Sequence, residues 1–295
     1  MISIAQALAE DAKRIKDDIR VLLVQHSRLS QQPQYEGIVF INTKGNHNWG
    51  ELSVDACRIQ AKILKSYKTY RDLVHVLIRG LTGESQREFD RADDIIRQHV
   101  EQQYSTWCKT PQEAVEKTIA AFDEIASVID RLYSADGAFV AVPDTNALIA
   151  NPDLDRWRFE DCTAFEMVFT PTVLSELDKL KSSHRNENVR AKAESVIRRI
   201  KELGRRGDLH VGIPVVKDRI NARSVAVEPE MTESLPWLDA SNNDDRFLAS
   251  VIEIIRENVR SVVTIVTGDV NLQNKARFAR IPFCEPPLVP VEVVN

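Results

Sequence analysis

The chain has 295 residues, 43% apolar and 28% charged, with a formal net charge of -5; that suffices for one large domain or two ordinary ones with a real core. A negative total excludes a globally basic nucleic-acid binder, so any cationic surface has to be local. Cys57, Cys108, Cys162 and Cys284 form no C-x-x-C pair and the six histidines show no H-x₃-H spacing, which argues against structural zinc and for reduced thiols in a cytoplasmic protein.

The opening stretch "MISIAQALAEDAKRIKDDIR" carries charges from Glu10 onward and reads as an amphipathic helix, not a signal peptide. No stretch approaches the roughly 18 uninterrupted apolar residues of a membrane span. Residues 1–136 keep a helical rhythm. Ile4, Leu8, Ile15, Ile19 and Leu22 fall three, four or seven apart, as do Leu52 through Val76 and Phe89 through Tyr104, so each segment is expected to be a helix with one apolar stripe. "TPQEAVEKTIAAFDEIASVIDRL" opens with a capping box: Thr110 as N-cap, Pro111 first in the helix, Glu113 third. "EGIVFINTKGNHNWG" interrupts the rhythm with a short apolar run and a Gly/Asn loop. No nucleotide loop or catalytic constellation is legible in this half, which is expected to be a mainly helical regulatory, partner-binding or oligomerisation domain.

"SADGA" (Ser134 to Ala138) is the expected junction. Over residues 137–295, strands then alternate with helices. "AFVAV", "AFEMVF", "LHVGI", "SVVTIVT" and a short run around Ile281 to Cys284 read as strands. "TNALI", "PTVLSELDKLK", "ENVRAKAESVIRRIKELG" (stopped by Gly204), "DDRFLASVIEIIREN" and "NLQNKARFA" read as helices. That alternation predicts an α/β fold with a parallel sheet covered on both faces. Ligands of such sheets sit outside the carboxyl ends of the strands.

Acids gather at those ends. Asp144 follows the first strand, Asp269 the strand "SVVTIVT", Glu176 lies early in the helix that starts at Pro171, and Asp244 and Asp245 open another helix. Converging carboxylates repel, and a divalent cation removes that cost. All-oxygen ligands favour Mg²⁺ or Mn²⁺, and two such ions would stand roughly 3.5–4 Å apart. Each acid also has a purely structural use: Asp144 and one of Asp244 or Asp245 as helix caps, Glu176 as a solvated helix residue, Asp269 as part of the turn "TGD".

"VPDTNALI", "TPTVLSELDKLK", "NNDDRFLA" and "TGDVNLQNKA" together, in this order and context, resemble the PIN-domain nucleases from about Phe139 to Val291. The resemblance implies a Rossmann-like α/β/α domain and a Mg²⁺- or Mn²⁺-dependent phosphodiesterase, most often acting on RNA. It places the family's acids on Asp144, Glu176, either Asp244 or Asp245, and Asp269, with metal on the aspartates and Glu176 as a further ligand or a water-orienting base. Asn146, Thr267 and Asn271 then match positions that orient ligands or water. The chain departs from compact family members in its helical first half and in the long stretch Ile213 to Ser241, which suits a substrate-covering or partner-binding loop.

Between Lys179 and Arg206 stand ten Lys/Arg against three acids. Lys179, Lys181, Arg185, Arg190, Lys192, Arg198 and Arg199 are therefore candidate phosphate-backbone contacts, against the plainer reading of a solvated helix. The expected function is a metal-dependent endoribonuclease, an effector in stress response or phage defence, with RNA as substrate and DNA not excluded. The rival is a catalytically silent PIN-like scaffold that binds RNA or a protein partner, or self-associates, through residues 1–136. No membrane partner is expected.

Overall fold

The computed structural model describes residues 2–32, 45–80, 83–133, 137–160 and 162–287. The chain divides into two compact units, residues 8–132 and residues 133–295, with residues 1–7 grouped with the second. Among the described residues no helix is long and apolar enough to cross a membrane.

The first unit is built on α1 (Ile4–Val21) from Leu8 onward, which runs on as a short π-helical segment, α2 (Val54–Ile78), α3 (Gly83–Glu101) and α4 (Pro111–Leu132), with β1 (Leu29–Gln31) paired antiparallel to β2 (His47–Trp49). The apolar stripes supply its core, in which Tyr67, Tyr70 and Phe122 pack ring against ring. Thr110 accepts from the Glu113 N–H at 3.1 Å and Glu113 reaches back to the Lys109 N–H at 2.8 Å, a capping box displaced by one residue at its return bond. The helix from Phe89 stops at Glu101, because Gln102 takes a positive φ of 55°; Tyr104, assigned to its stripe from sequence, lies beyond it and is exposed. The apolar run after Glu36 and residues 134–136 of the expected junction lie outside the described residues.

In the second unit a six-stranded sheet has the order β5-β6-β4-β3-β7-β8, parallel except for β5 against β6. Its strands are β3 (Phe139–Pro143), β4 (Phe165–Phe169), β5 (Ile213–Val216), β6 (Ile220–Ser224), β7 (Val262–Val266) and β8 (Phe283–Cys284). Five helices connect them: α5 (Thr145–Ala150), α6 (Pro171–Ser183), α7 (Glu187–Arg206), α8 (Asn243–Glu257) and α9 (Val270–Phe278). β3 is buried along its whole length and the three strands β4, β3 and β7 form the centre, as near-continuous apolar runs should. α5, α6 and α7 pack on one another, while α8 packs on β7 and α9 on β8.

Three local expectations change. Gly204 does not stop α7, which continues to Arg206 and ends at Gly207; a glycine inside a helix costs only about 1 kcal/mol, and Leu203 still anchors that turn in the core. "LHVGI" is mostly turn, with Gly212 at φ +104° against the Asn221 amide, and the strand starts only at Ile213. The long stretch from Ile213 holds a β5/β6 hairpin that the sequence pattern missed. Beyond it, Glu228 is gripped bidentately by Arg246 of α8 at 2.6 and 2.9 Å and accepts from the Thr172 hydroxyl of α6 at 2.9 Å. Those bonds pin the insertion to two helices as a wall.

Candidate active site

β3 and β7 are parallel with Pro143 opposite Val266. The next residue on each strand therefore lands side by side at the carboxyl edge: Asp144 and Thr267. The Asp144 N–H donates to Val266 O at 3.0 Å, continuing the ladder by one step. The buried Thr267 hydroxyl donates to Asp144 Oδ2 and accepts from the Asp269 N–H at 2.9 Å. One threonine thus fixes two acids that lie 125 positions apart in the chain.

Both aspartates also cap helices, Asp144 through the Ala147 N–H at 2.6 Å and Asp269 through the N–H groups of Asn271 and Leu272. Capping and cleft-lining coexist because a carboxylate has two oxygens and several lone pairs. β4 ends at Phe169, and the next residue, Thr170, caps α6 and so sets the phase that brings Glu176 to the cleft one and a half turns later. Glu176 accepts from the Thr145 hydroxyl at 2.6 Å and the Asn243 amide at 2.7 Å. Neither donor was singled out from sequence, although Asn243 stands inside the "NNDD" motif.

At α8 the cap is Asn242, not Asp244 or Asp245; it accepts from both of their N–H groups. Freed from capping, the two acids separate. Asp244 lines the cleft and accepts from the Asn271 amide at 2.9 Å. Asp245 is only 6% exposed, is not among the cleft-lining residues, and binds Lys275 Nζ at 2.7 Å and the Asp239 N–H at 3.0 Å. The cleft, about 340 Å³, brings together Asp144, Glu176, Asp244 and Asp269 with Asn146 and Lys179. Asn146 donates to Asp269 at 3.4 Å.

Of the seven candidate phosphate contacts, Lys179 alone lines this cleft. Lys181, Arg185, Lys192 and Arg198 are spread over the α6/α7 hairpin, Arg190 bonds the His184 carbonyl, and Arg199 pairs with Asp155 at 3.2 Å. They do not form one continuous rail at the acids.

Burial raises the Asp144 pKa to about 6, against the lowering effect of its bonds from Thr267 and Ala147; the charges of Asp269 and Glu176 add to the rise. Partial burial pulls the Lys275 pKa down, and its bonds to Asp245 and Asp244 more than reverse this, leaving it raised. Among the described residues no three acidic, histidine or cysteine side chains are grouped closely enough, as placed, to hold an ion. In type, however, the donors fit a hard divalent cation: four carboxylates face one cleft, and most of their hydrogen-bond partners are neutral amides and hydroxyls. Burial makes the Asp144 charge costly and the charges of Asp269 and Glu176 add to that cost; a cation would offset both.

A consequence follows for stability. The folded pKa of Asp144 lies above its unfolded value of about 4, so its stabilising contribution is present below pH 4 and lost as pH rises through 6. The loss at neutral pH is at most about 3 kcal/mol. A divalent cation that holds the ionised form should therefore raise the melting temperature at pH 7.5 by several degrees and far less at pH 5. Thermal melts with and without Mn²⁺ check this; equal shifts at both pH values would contradict it.

A family model described as the PIN domain matches residues 141–285, the span that runs from β3 to just beyond β8 and contains every cleft acid. No curated protein matches the chain. Residues 141–285 thus belong to the PIN domains, a family of nucleases that typically depend on divalent metals, and a helical region precedes them in this chain.

Proposed function

We propose that the chain is a Mg²⁺- or Mn²⁺-dependent endoribonuclease whose centre is the cleft between β3, β7, α6 and α8. The observation that carries this reading is the convergence of Asp144, Glu176, Asp244 and Asp269 on one cleft at the carboxyl edge of the sheet. In it Asp144, Asp244 and Asp269 supply carboxylate oxygens for the cation. Bound there, the cation supplies Lewis acidity and neutralises charge on the phosphodiester. Glu176, held by Thr145 and Asn243, orients the attacking water and takes its proton. Lys179, whose ammonium has no partner among the described residues, meets a non-bridging phosphate oxygen. Thr267 keeps Asp144 and Asp269 in register, and Asn146 and Asn271 orient Asp269 and Asp244.

The helical unit is assigned a regulatory or partner-docking task. A silent scaffold is favoured by one observation, the absence of a ready-grouped ligand trio among the described residues. One assay separates the two readings. Full-length protein is incubated with single-stranded RNA, structured RNA and DNA, with Mg²⁺, Mn²⁺ or excess chelator. Internal cleavage of RNA only with metal is expected. Equal cleavage in chelator would end the mechanism, no cleavage under any condition would favour the scaffold, and cleavage of DNA alone would reassign the substrate.

A further inference from the structure

Lys275 takes part in none of the steps above, yet it contacts both acids of α8. Its Nζ lies 2.7 Å from Asp245 Oδ1, 3.1 Å from Asn242 Oδ1 and 3.3 Å from Asp244 Oδ2. The lysine comes from α9, the helix that Asp269 caps, and the same helix sends Asn271 to Asp244. Two acid-bearing helices are therefore cross-bound at one corner. That corner holds two carboxylates and one ammonium, so one negative charge stays uncompensated.

The distances say how the compensation is shared. Asp245 is buried, has the shorter contact, and spends its second oxygen on the Asp239 N–H. Asp244 is about one-third exposed, has the longer contact, and faces the cleft. We propose that Lys275 is a positioning residue that divides the two α8 acids, fixing Asp245 as a structural counter-charge and weakening the hold of Asp244 on a divalent cation. The proposal rests on the metal-centre reading above and adds to it a control of cation affinity by a fixed internal charge. An ammonium beside a ligand oxygen repels an arriving cation; removing one unit charge from a partly exposed corner is worth about tenfold in affinity.

The test is Mn²⁺ binding to the full chain, measured by isothermal titration. Lys275→Met should bind Mn²⁺ about tenfold tighter than the parent, while Lys275→Arg, which keeps the charge, should match it. Lys275→Met strands the buried Asp245 and should melt earlier without metal, so Asp245→Asn/Lys275→Met is made alongside it. This double variant leaves no stranded charge and should recover stability; because it also removes the more remote Asp245 charge, it should bind Mn²⁺ tighter than the parent but less tightly than Lys275→Met. A folded Lys275→Met or double variant that binds Mn²⁺ at parental strength or more weakly overturns the proposal; if the single variant does not fold, the double variant decides. A parent that takes up no Mn²⁺ would overturn the metal-centre reading itself, and this proposal with it, before any variant is compared.

Discussion

Asp144→Asn protein is expected to lose about 10³-fold of the metal-dependent cleavage rate while melting at the same temperature as the parent or higher. The two halves of that expectation share one cause. Asp144 is 6% exposed, and burial together with the neighbouring charges of Asp269 and Glu176 makes its ionised form costly. Asparagine keeps an acceptor oxygen for the Ala147 N–H, so the cap on α5 survives. What disappears is the negative charge, which burial makes costly without a metal and which a bound cation requires. A carboxylate that lowers the stability of the metal-free protein is the signature of a functional group, since a purely structural cap gains nothing from being charged against its neighbours. Steady-state cleavage and thermal melts on the same preparation check both halves. Retention of more than a tenth of the parental rate would remove Asp144 from the centre, and a large drop in melting temperature would mean that Asp144 is chiefly structural.

Much of this arrangement was legible in the sequence, for physical reasons that differ by element. The apolar β3 and β7 could only be buried strands, and in a parallel sheet both must point their carboxyl ends, hence Asp144 and Asp269, to one edge. Glu176 followed from Pro171, which fixes the start of α6 and therefore the phase of the helix. The choice between Asp244 and Asp245 did not follow, because it turns on which residue caps α8, and Asn242, Asp244 and Asp245 are equivalent caps by composition. Only coordinates show Asn242 in that place. The strand β6 was hidden because its polar residues Asn221 and Arg223 find their partner in Glu166, 55 and 57 positions away; nothing local announces a strand whose polar face is paid for so far off in the chain. The tie from Thr267 to Asp144 is likewise a matter of register, set by the pairing of Pro143 with Val266. Lys275 carries no signal of its own in the sequence; its role depends on Asp244 and Asp245, which the fold brings beside it.

Trp157→Ala is expected to cost the C-terminal unit about 3–5 kcal/mol, a large share of the roughly 5–15 kcal/mol that holds a typical domain folded. Trp157 is fully buried and packs edge-on against Phe159, which in turn meets Phe139 at 4.9 Å and Phe165 at 5.0 Å between ring centroids. Phe139 and Phe165 are the first residues of β3 and β4, so the cluster fastens the segment after α5 to the amino-terminal ends of the two strands. The indole also donates to the Asn151 carbonyl at 2.9 Å. Asn151 closes α5, is 2% exposed, and already carries a side-chain oxygen without a partner. Losing the indole would therefore add an unpaired buried carbonyl to a cavity, two penalties on one small site. Trp157→Phe keeps most of the volume and loses the donor, and should cost about 1–3 kcal/mol. Urea unfolding followed by far-UV circular dichroism measures both, the shifted transition being that of the C-terminal unit. Because the aromatic cluster lies at the strand ends opposite the acids, Trp157→Ala protein kept folded at low temperature should bind Mn²⁺ as the parent does. A cost below 1 kcal/mol would show that the cluster closes over the missing ring; weakened Mn²⁺ binding in the folded variant would show that α5 transmits the damage from Asn151 to Asp144.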